Sequence, residues 1–499
     1  MSTAQLNEKK APYGILAILM VGAFISILNS TLLNIALPSI QRDLGVETST
    51  VQWLATGYML VNGIMIPTTA FLIRKYSVRN LFLTAMLLFT IGTVTAGAAT
   101  VFPVLLGGRM IQAAGSAIMM PLLMNVLLTA FPVEKRGSAM GLFGLVMMFA
   151  PAIGPTLSGW IVEHYDWRML FHFITPLAVI VLAFGFFKLK DKKDKVNIKI
   201  DVLSVILSSL GFGGLLYGFS SAGSKGWDSP WVYGTLIVGV ISLILFITRQ
   251  LKMDSPMLEF RIFRHPMFAL SASISIVLNM ALFSGMILLP MYIQTIRGIS
   301  PFDSGLLMLP GAILMAIMSP VTGKLFDKFG GRVLVVTGLS ITVASTYFFS
   351  QLTMELSYGT LVTMFTIRSF GLAMAMMPVM TNGLNSLPAR MNPHGTAMNN
   401  TLNQISGAIG TALLVTVMSN RAATHGEELA KAAMSKATGQ PSAEALEGLK
   451  NMAMLEGIND AFLVATFIAA LALILSFFMK RARPAEDKFG KTEKDNQSA

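Results

Sequence analysis

Residues 303–332 read DSGLLMLPGAILMAIMSPVTGKLFDKFGGR. The stretch 303–322 is one apolar run, and it passes directly into a short turn in which Asp327 sits among Lys324, Lys328 and Arg332. About 20 mostly apolar residues are what an α-helix needs to cross a bilayer. Measured by that length, the chain holds fourteen such segments, near 13–38, 51–72, 80–100, 104–129, 137–161, 169–187, 200–220, 231–250, 267–291, 303–322, 333–352, 357–380, 396–419 and 457–479. Over all 499 residues, 54% are hydrophobic and only 12% charged, and mean hydropathy is +0.66. A soluble domain carries about a quarter charged residues. The expected fold is therefore an all-α polytopic membrane protein.

The net charge of +12 would suit a nucleic-acid binder only if the cations formed a patch. They fall instead in the loops. With the N-terminus placed in the cytoplasm, 27 of the 37 Lys and Arg lie on that side and eight on the other, while Arg109 and Arg368 lie inside segments four and twelve. This positive-inside bias places both termini in the cytoplasm of a multi-pass protein. Lys9 and Lys10 precede a first segment too long for a signal peptide and without a small-residue cleavage site, so that segment is expected to stay as a helix. With no Cys and five scattered His, the chain has no disulfide, thiol nucleophile or His/Cys metal cluster. No Walker loop, paired acids or Gly-framed nucleophile appears in the spans, so neither ATP drive nor an enzyme is expected.

The Lys188–Asp201 charge run follows six segments and marks a seam. The expected organisation is a six-helix bundle at 1–190, linkers with two extra helices at 191–264, a second six-helix bundle at 265–480, and a cytoplasmic tail at 481–499. The Ala, Glu and Lys rich stretch 421–456, broken at Gly439, Gln440 and Pro441, reads as a short helical hairpin outside the membrane.

Several short patterns carry more. Segment four holds Arg109, Gln112, Gly115 and Ser116; segment five holds Gly144, Gly154, Pro155 and Gly159. Small residues there allow close helix contact, and a proline removes a backbone bond and kinks the helix. Segment one reads LNSTLLNIALP over 28–38. In this order, with Gly323–Arg332, they resemble the major facilitator superfamily, and within it the fourteen-helix drug:proton antiporter branch that includes lincomycin-efflux-like multidrug exporters. Arg109–Gly115 resembles the RxxQGxG pattern, 150–159 the GPxxGG pattern with Ser158 in place of a glycine, Gly323–Arg332 the GxLaDrxGrk loop, and 28–38 the LDxTIVNVALP signature. Two positions depart from the family: Asn29 replaces the first-helix acid, and in the first-half copy of the loop, AFLIRKYSVR at 70–79, Arg74 stands where the acid would be.

The resemblance implies a major facilitator fold, two six-helix bundles plus two extra helices, rocking about a midplane cavity. It implies no cofactor, with a proton gradient as the energy source. Expected partners are small amphiphilic substrates, protons and membrane lipids, with no nucleic acid; the chain is expected to act as a monomer in a bacterial cytoplasmic membrane.

Candidate transport or coupling residues are Arg109, Gln112, Arg368, Asp303 and His172. A charge inside a span is costly and normally faces a cavity or a partner. Arg109 lies near the outer end of its segment, where snorkelling competes with function; Arg368 lies deeper, where an inter-helix brace competes. Asp303 follows Ser300 and Pro301 as a helix-opening acid would, so capping is the stronger reading, and Asp460 reads as another helix-start acid. The amides Asn29, Asn34, Asn279, Asn400 and Asn403 are expected to line the cavity, against a role as inter-helix glue. The gate is assigned to Gly323, Asp327, Gly330 and Arg332, with Asp327 and Arg332 as a latch, and the hinge to Gly154, Pro155 and Gly159. Together these point to proton-coupled efflux of amphiphilic drugs by alternating access. The alternatives are a lipid or lipid-precursor exporter, with the arginines gripping phosphate or carboxylate, and an uncoupled facilitator.

Overall fold

The computed structural model describes residues 13–482 apart from 47, 52, 133–134, 191–200, 255 and 437–442. All regular structure among the described residues is helical, as it must be where lipid offers the backbone no hydrogen bond. The long helices are α1 (Tyr13–Leu44), α2 (Trp53–Lys75), α3 (Val78–Gly97), α4 (Phe102–Ala130), α5 (Arg136–His164), α6 (Met169–Lys188), α7 (Val202–Lys225), α8 (Pro230–Lys252), α9 (Pro266–Met291), α10 (Pro301–Phe329), α11 (Gly331–Phe349), α12 (Tyr358–Asn385), α13 (Asn392–Lys436) and α14 (Ala443–Ser476). Thirteen pass as spans outright, and α2 makes fourteen once its two pieces, bent by 51° between Met65 and Thr68, count as one. The bend falls where the sequence places Pro67, which supplies no backbone donor.

Two bundles of six, α1–α6 and α9–α14, meet along two seams. At one, α5 packs lengthwise on α10; at the other, α2 meets α13, and α7 covers both. The extra pair α7–α8 thus roofs the second seam, with α8 turning Ile237, Val238, Ile241 and Ile244 outward. Its inner end is tied by Arg249, whose Nε lies 2.6 Å from Asp201 Oδ2 and holds that carboxyl below the usual carboxylate range. The linker after α8 folds back because Gln250 Oε1 accepts from Met257 N at 2.7 Å.

The 421–456 hairpin is not a separate unit. Its arms are continuations of α13 and α14, and its expected tip at Gly439–Pro441 lies outside the described residues. Asp460 accordingly sits well inside α14 rather than at a helix start, accepting from Arg421 Nε and lying 3.0 Å from His425 Nε2. The tail from 483 also lies outside the described residues, but Arg481 Nη2 donates to the Asp327 carbonyl and Ala482 N to Asn382 Oδ1.

Backbone-to-backbone approach through glycine recurs at equivalent places in the two bundles. A Cβ on Gly92 of α3 would lie 2.5 Å from Gln112 N and Gly108 O of α4, and one on Gly338 of α11 would lie 2.6 Å from Gly371 O of α12. Gly92→Ala is therefore expected to cost about 1–3 kcal/mol as overpacking does. Gly107→Ala, at a position with open space around it, should be silent. Thermal unfolding of the two variants in detergent checks this.

Candidate transport site and gate

Arg109 reaches into the first bundle from α4 and is 1% exposed, so it does not snorkel to the surface. Its Nη1 donates to Gln112 Oε1 at 2.5 Å, Gln112 Nε2 donates to Thr93 Oγ1 of α3 at 2.7 Å, and the guanidinium lies 4.2 Å from the centre of the Tyr58 ring of α2. The cation is thus held by an amide and an aromatic face, with no carboxylate among its described contacts. Arg109 Nε, Tyr58 Oη and the Asn29 amide nitrogen are all buried without a hydrogen-bond partner. Asn29 is on the adjoining α1, one turn along from Ser26, whose hydroxyl meets that of Ser116 on α4.

Arg368 occupies the corresponding place on α12 but is used differently. Its Nη2 donates to Ala281 O at 2.6 Å and Ser284 Oγ at 3.1 Å on α9, and its Nε to Thr346 Oγ1 of α11 at 3.3 Å. The guanidinium lies against Gly285, where a Cβ would displace it. This is the geometry of a brace joining three helices. Nearby, Asn279 Nδ2 donates to Asn403 Oδ1 at 2.9 Å, linking α9 to α13, while Asn400 Nδ2 is buried without a partner. The Asn34 and Pro155 side chains lie outside the described residues.

The two shallow candidates are elsewhere. Asp303 is exposed at the start of α10, where Ser300 Oγ accepts from Asp303 N at 3.1 Å and donates to its carboxylate at 2.8 Å, a serine N-cap. His172 is exposed on α6, its ring beside Gly97 of α3. Neither is brought to Arg109 by any described contact.

Of the expected gate residues, Gly323 and Asp327 meet α5 across the α5–α10 seam. A Cβ on Gly323 would collide with the Gly137 backbone and one on Gly141 with Ser319 O and Pro320, so the helices touch main chain to main chain; Ser319 Oγ also donates to Gly141 O at 2.9 Å. This approach puts Asp327 over the start of α5. Its Oδ1 accepts from Gly137 N at 2.8 Å, and its Oδ2 accepts from Ser138 N at 2.9 Å and Ser138 Oγ at 2.7 Å. The helix N-terminus supplies free N–H groups and a positive dipole end, so the carboxylate of one half caps a helix of the other. Arg332 is exposed and has no described contact with Asp327; the contact between the halves at this point is the Asp327 cap. Gly330, with φ +81°, makes the tight turn into α11.

The same face carries two more contacts between halves, Arg136 Nη1 to Asn385 Oδ1 at 3.3 Å and Arg74 Nη1 with His394 Nε2 at 3.4 Å. Sequence reasoning missed Tyr58, Ser138, Asn385 and His394, because each acquires its role from a neighbour far along the chain. The hinge positions lie on α5, which is helical throughout from Arg136 to His164. A Cβ on Gly154 would strike Thr31 of α1, Ser158 Oγ donates to Leu32 O, and Gly159 faces Phe302 of α10. The serine that departs from the family pattern thus secures α5 to α1.

With this geometry in view, comparison with known proteins is decisive. The model of the Major Facilitator Superfamily matches residues 19–411. The chain belongs to that superfamily. It is 51% identical to the uncharacterized MFS-type transporter YcnB of Bacillus subtilis (strain 168), covering 95% of this chain and 96% of that one. It is 42% identical to the lincomycin resistance protein LmrB of the same organism, covering 97% and 98%. The crystal structure of the human organic anion transporter MFSD10 (TETRAN) superposes with a TM-score of 0.64 over 93% of this chain and 99% of that one; at 14% identity the likeness is one of fold. The facilitator described here is a multi-pass membrane transporter whose relatives include drug-resistance proteins.

If Arg368 is a brace, Arg368→Leu leaves Ala281 O, Ser284 and Thr346 without their donor and is expected to lower stability by roughly 2–4 kcal/mol. Arg368→Lys should recover only part, since an ammonium cannot span three acceptors as a planar guanidinium does. Thermal unfolding in detergent decides; an unchanged melting point for the leucine variant contradicts the brace.

Proposed function

We propose that the chain exports amphiphilic drugs or antibiotics across the cytoplasmic membrane by alternating access, driven by inward proton flow, with the basic face toward the cytoplasm. The observation that carries this is the Asp327 cap on α5, a reversible bond set between the two halves at one face of the molecule. Opening that face breaks the cap and admits substrate; re-forming it commits the substrate to release on the other side. The lincomycin resistance relative supports an antibiotic-sized cargo. Arg109 and Asn29 offer unpartnered N–H groups, and a buried cation repels another in low dielectric. Neutral, zwitterionic or acidic amphiphiles therefore suit the first bundle better than cationic ones.

The test uses vesicles holding the purified protein and a pH dye, given an imposed pH gradient and then lincomycin-like, cationic or anionic amphiphiles. Substrate-triggered proton movement, lost in Arg109→Ala and kept in the exposed Lys450→Ala control, is the expected result. Flux without proton movement leaves an uncoupled facilitator. Asp327→Asn keeps one acceptor oxygen but turns the other into an NH2 facing a backbone N–H, and should slow turnover about tenfold, equivalent to ~1.4 kcal/mol, without lowering the amount of folded protein.

A further inference from the structure

The two seams are related by the internal repeat, and their basic-face contacts are not alike. Asp327, near the end of α10, faces the first residues of α5: Arg136, Gly137 and Ser138. Arg74, at the matching place near the end of α2, faces the first residues of α13: Asn392, Pro393 and His394. The acid of one latch is a cation in the other, and the capped N–H groups are replaced. Pro393 has no N–H to offer where Gly137 offers one, and the third residue presents an imidazole where Ser138 presents a hydroxyl.

His394 is 5% exposed and is met by α2 and by the linker between α8 and α9. From α2, Arg74 Nη1 reaches its Nε2 at 3.4 Å and also donates to Pro256 O at 3.3 Å. From the linker between α8 and α9, Glu259 N–H donates to Nδ1 at 3.3 Å, and the Met257 carbonyl also meets the ring. Phe268 of α9 and Leu384 and Leu387 pack on the adjoining Gly395. The charged groups facing this region are Arg74 and Glu259, and the Glu259 carboxylate is engaged by its own Arg261, accepting from Arg261 N at 3.0 Å with Arg261 Nη1 at 3.7 Å. Arg74 Nη1 and Glu259 N can only donate, so N–H groups face both ring nitrogens; a neutral ring keeps a lone pair for one of them, and an imidazolium keeps none. A second ring proton would set N–H against N–H and cation against cation at a buried position.

We propose that His394 is a proton checkpoint: the basic face closes only when this imidazole is neutral, because the Arg74 latch cannot form on an imidazolium. The direction of its use rests on the antiport reading above. A proton that has crossed from outside must leave His394 for the cytoplasm before the face can shut on a substrate, which ties proton release to substrate capture without an acid deep in any span. This gives the proton a site that neither Asp303 nor His172, both exposed, provides. The ligand is the proton alone; the sensing site is the seam itself.

Closure is expected to be insensitive to pH above ~7.5 and to weaken about tenfold per unit below ~6, because an imidazole released from the latch titrates near its ordinary ~6.5. The chain has no Cys, so Lys135→Cys and Lys328→Cys, on exposed residues either side of the other seam, can carry spin labels in the full-length protein in lipid nanodiscs. Pulsed distance measurements from about pH 5.5 to 8.5 should show a short distance giving way to a longer one on acidification. His394→Gln keeps an oxygen that accepts from Arg74 but cannot titrate, and should hold the short distance throughout. His164→Gln, at an exposed histidine, should behave as the parent does. Should His394→Gln fail to fold, Arg74→Gln removes the opposing cation and is expected to weaken the acid effect at least threefold. No pH dependence in the parent, or the same dependence in His394→Gln, overturns the checkpoint. Substrate-driven proton movement, measured separately in vesicles, tests antiport: its absence with the distance shift intact removes the antiport direction and leaves the latch.

Discussion

A helix that begins at a membrane surface exposes N–H groups that something must satisfy, and at α5 that partner comes from the other half of the molecule. Asp327 supplies it with three hydrogen bonds. Much else in the structure serves this contact. Gly137 and Gly323 let α5 and α10 approach until the carboxylate can reach, Ser319 bonds across the same seam, and Gly330 turns the chain directly after the cap so that α11 departs at once. A bulky residue at any of these contacts would move the carboxylate off its donors. Bonds of this kind are worth on the order of 1–3 kcal/mol net each, enough to hold a face closed and few enough for a ligand to overcome.

The internal repeat explains why two arginines at equivalent positions do different work. Both bundles pack their third and fourth helices through glycine, and both bury a guanidinium on the fourth. In the second bundle Ala281 O, Ser284 and Thr346 surround it and fix α9, α11 and α12 together. In the first, Gln112 and Tyr58 hold the charge while Nε and neighbouring polar groups stay unpaired. An unpaired buried donor costs free energy in any state that does not use it. Equivalent positions thus carry a fully engaged guanidinium in one bundle and a partly engaged one in the other.

The fourteen spans, their helical nature and the resemblance to the family were all legible in the sequence, because apolar length and fixed loop motifs are local signals. Asp303 was legible for the same reason: Ser300, Pro301 and Asp303 are adjacent, so their capping role needs no tertiary information. Asp327 stood out in its loop motif but its partners did not, since Gly137 and Ser138 lie 190 and 189 residues away and show no pattern of their own. The depth of Arg109 could not be read because helical rise locates a residue along a span and says nothing of which side it faces; the Tyr58 ring that shields it is on another helix. The 421–456 arms were separated from their spans by composition, although polar residues simply continue a helix beyond the lipid.

Arg74 shows how a departure from a family pattern becomes intelligible only with its counterpart in place. Alone, a cation where an acid is expected looks like a lost latch. Opposite it, however, α13 opens with Pro393, which has removed one of the N–H groups an acid would cap, and with His394, whose ring nitrogen can accept from a guanidinium. The two changes are complementary: a carboxylate at 74 would lack that donor, and an imidazole at 394 facing an acid would be drawn to its charged form and bind more tightly on protonation. With arginine, the contact instead opposes protonation. The charge inversion thus preserves the contact between the halves while reversing its response to a proton, a distinction that the position of Arg74 along the chain cannot reveal by itself.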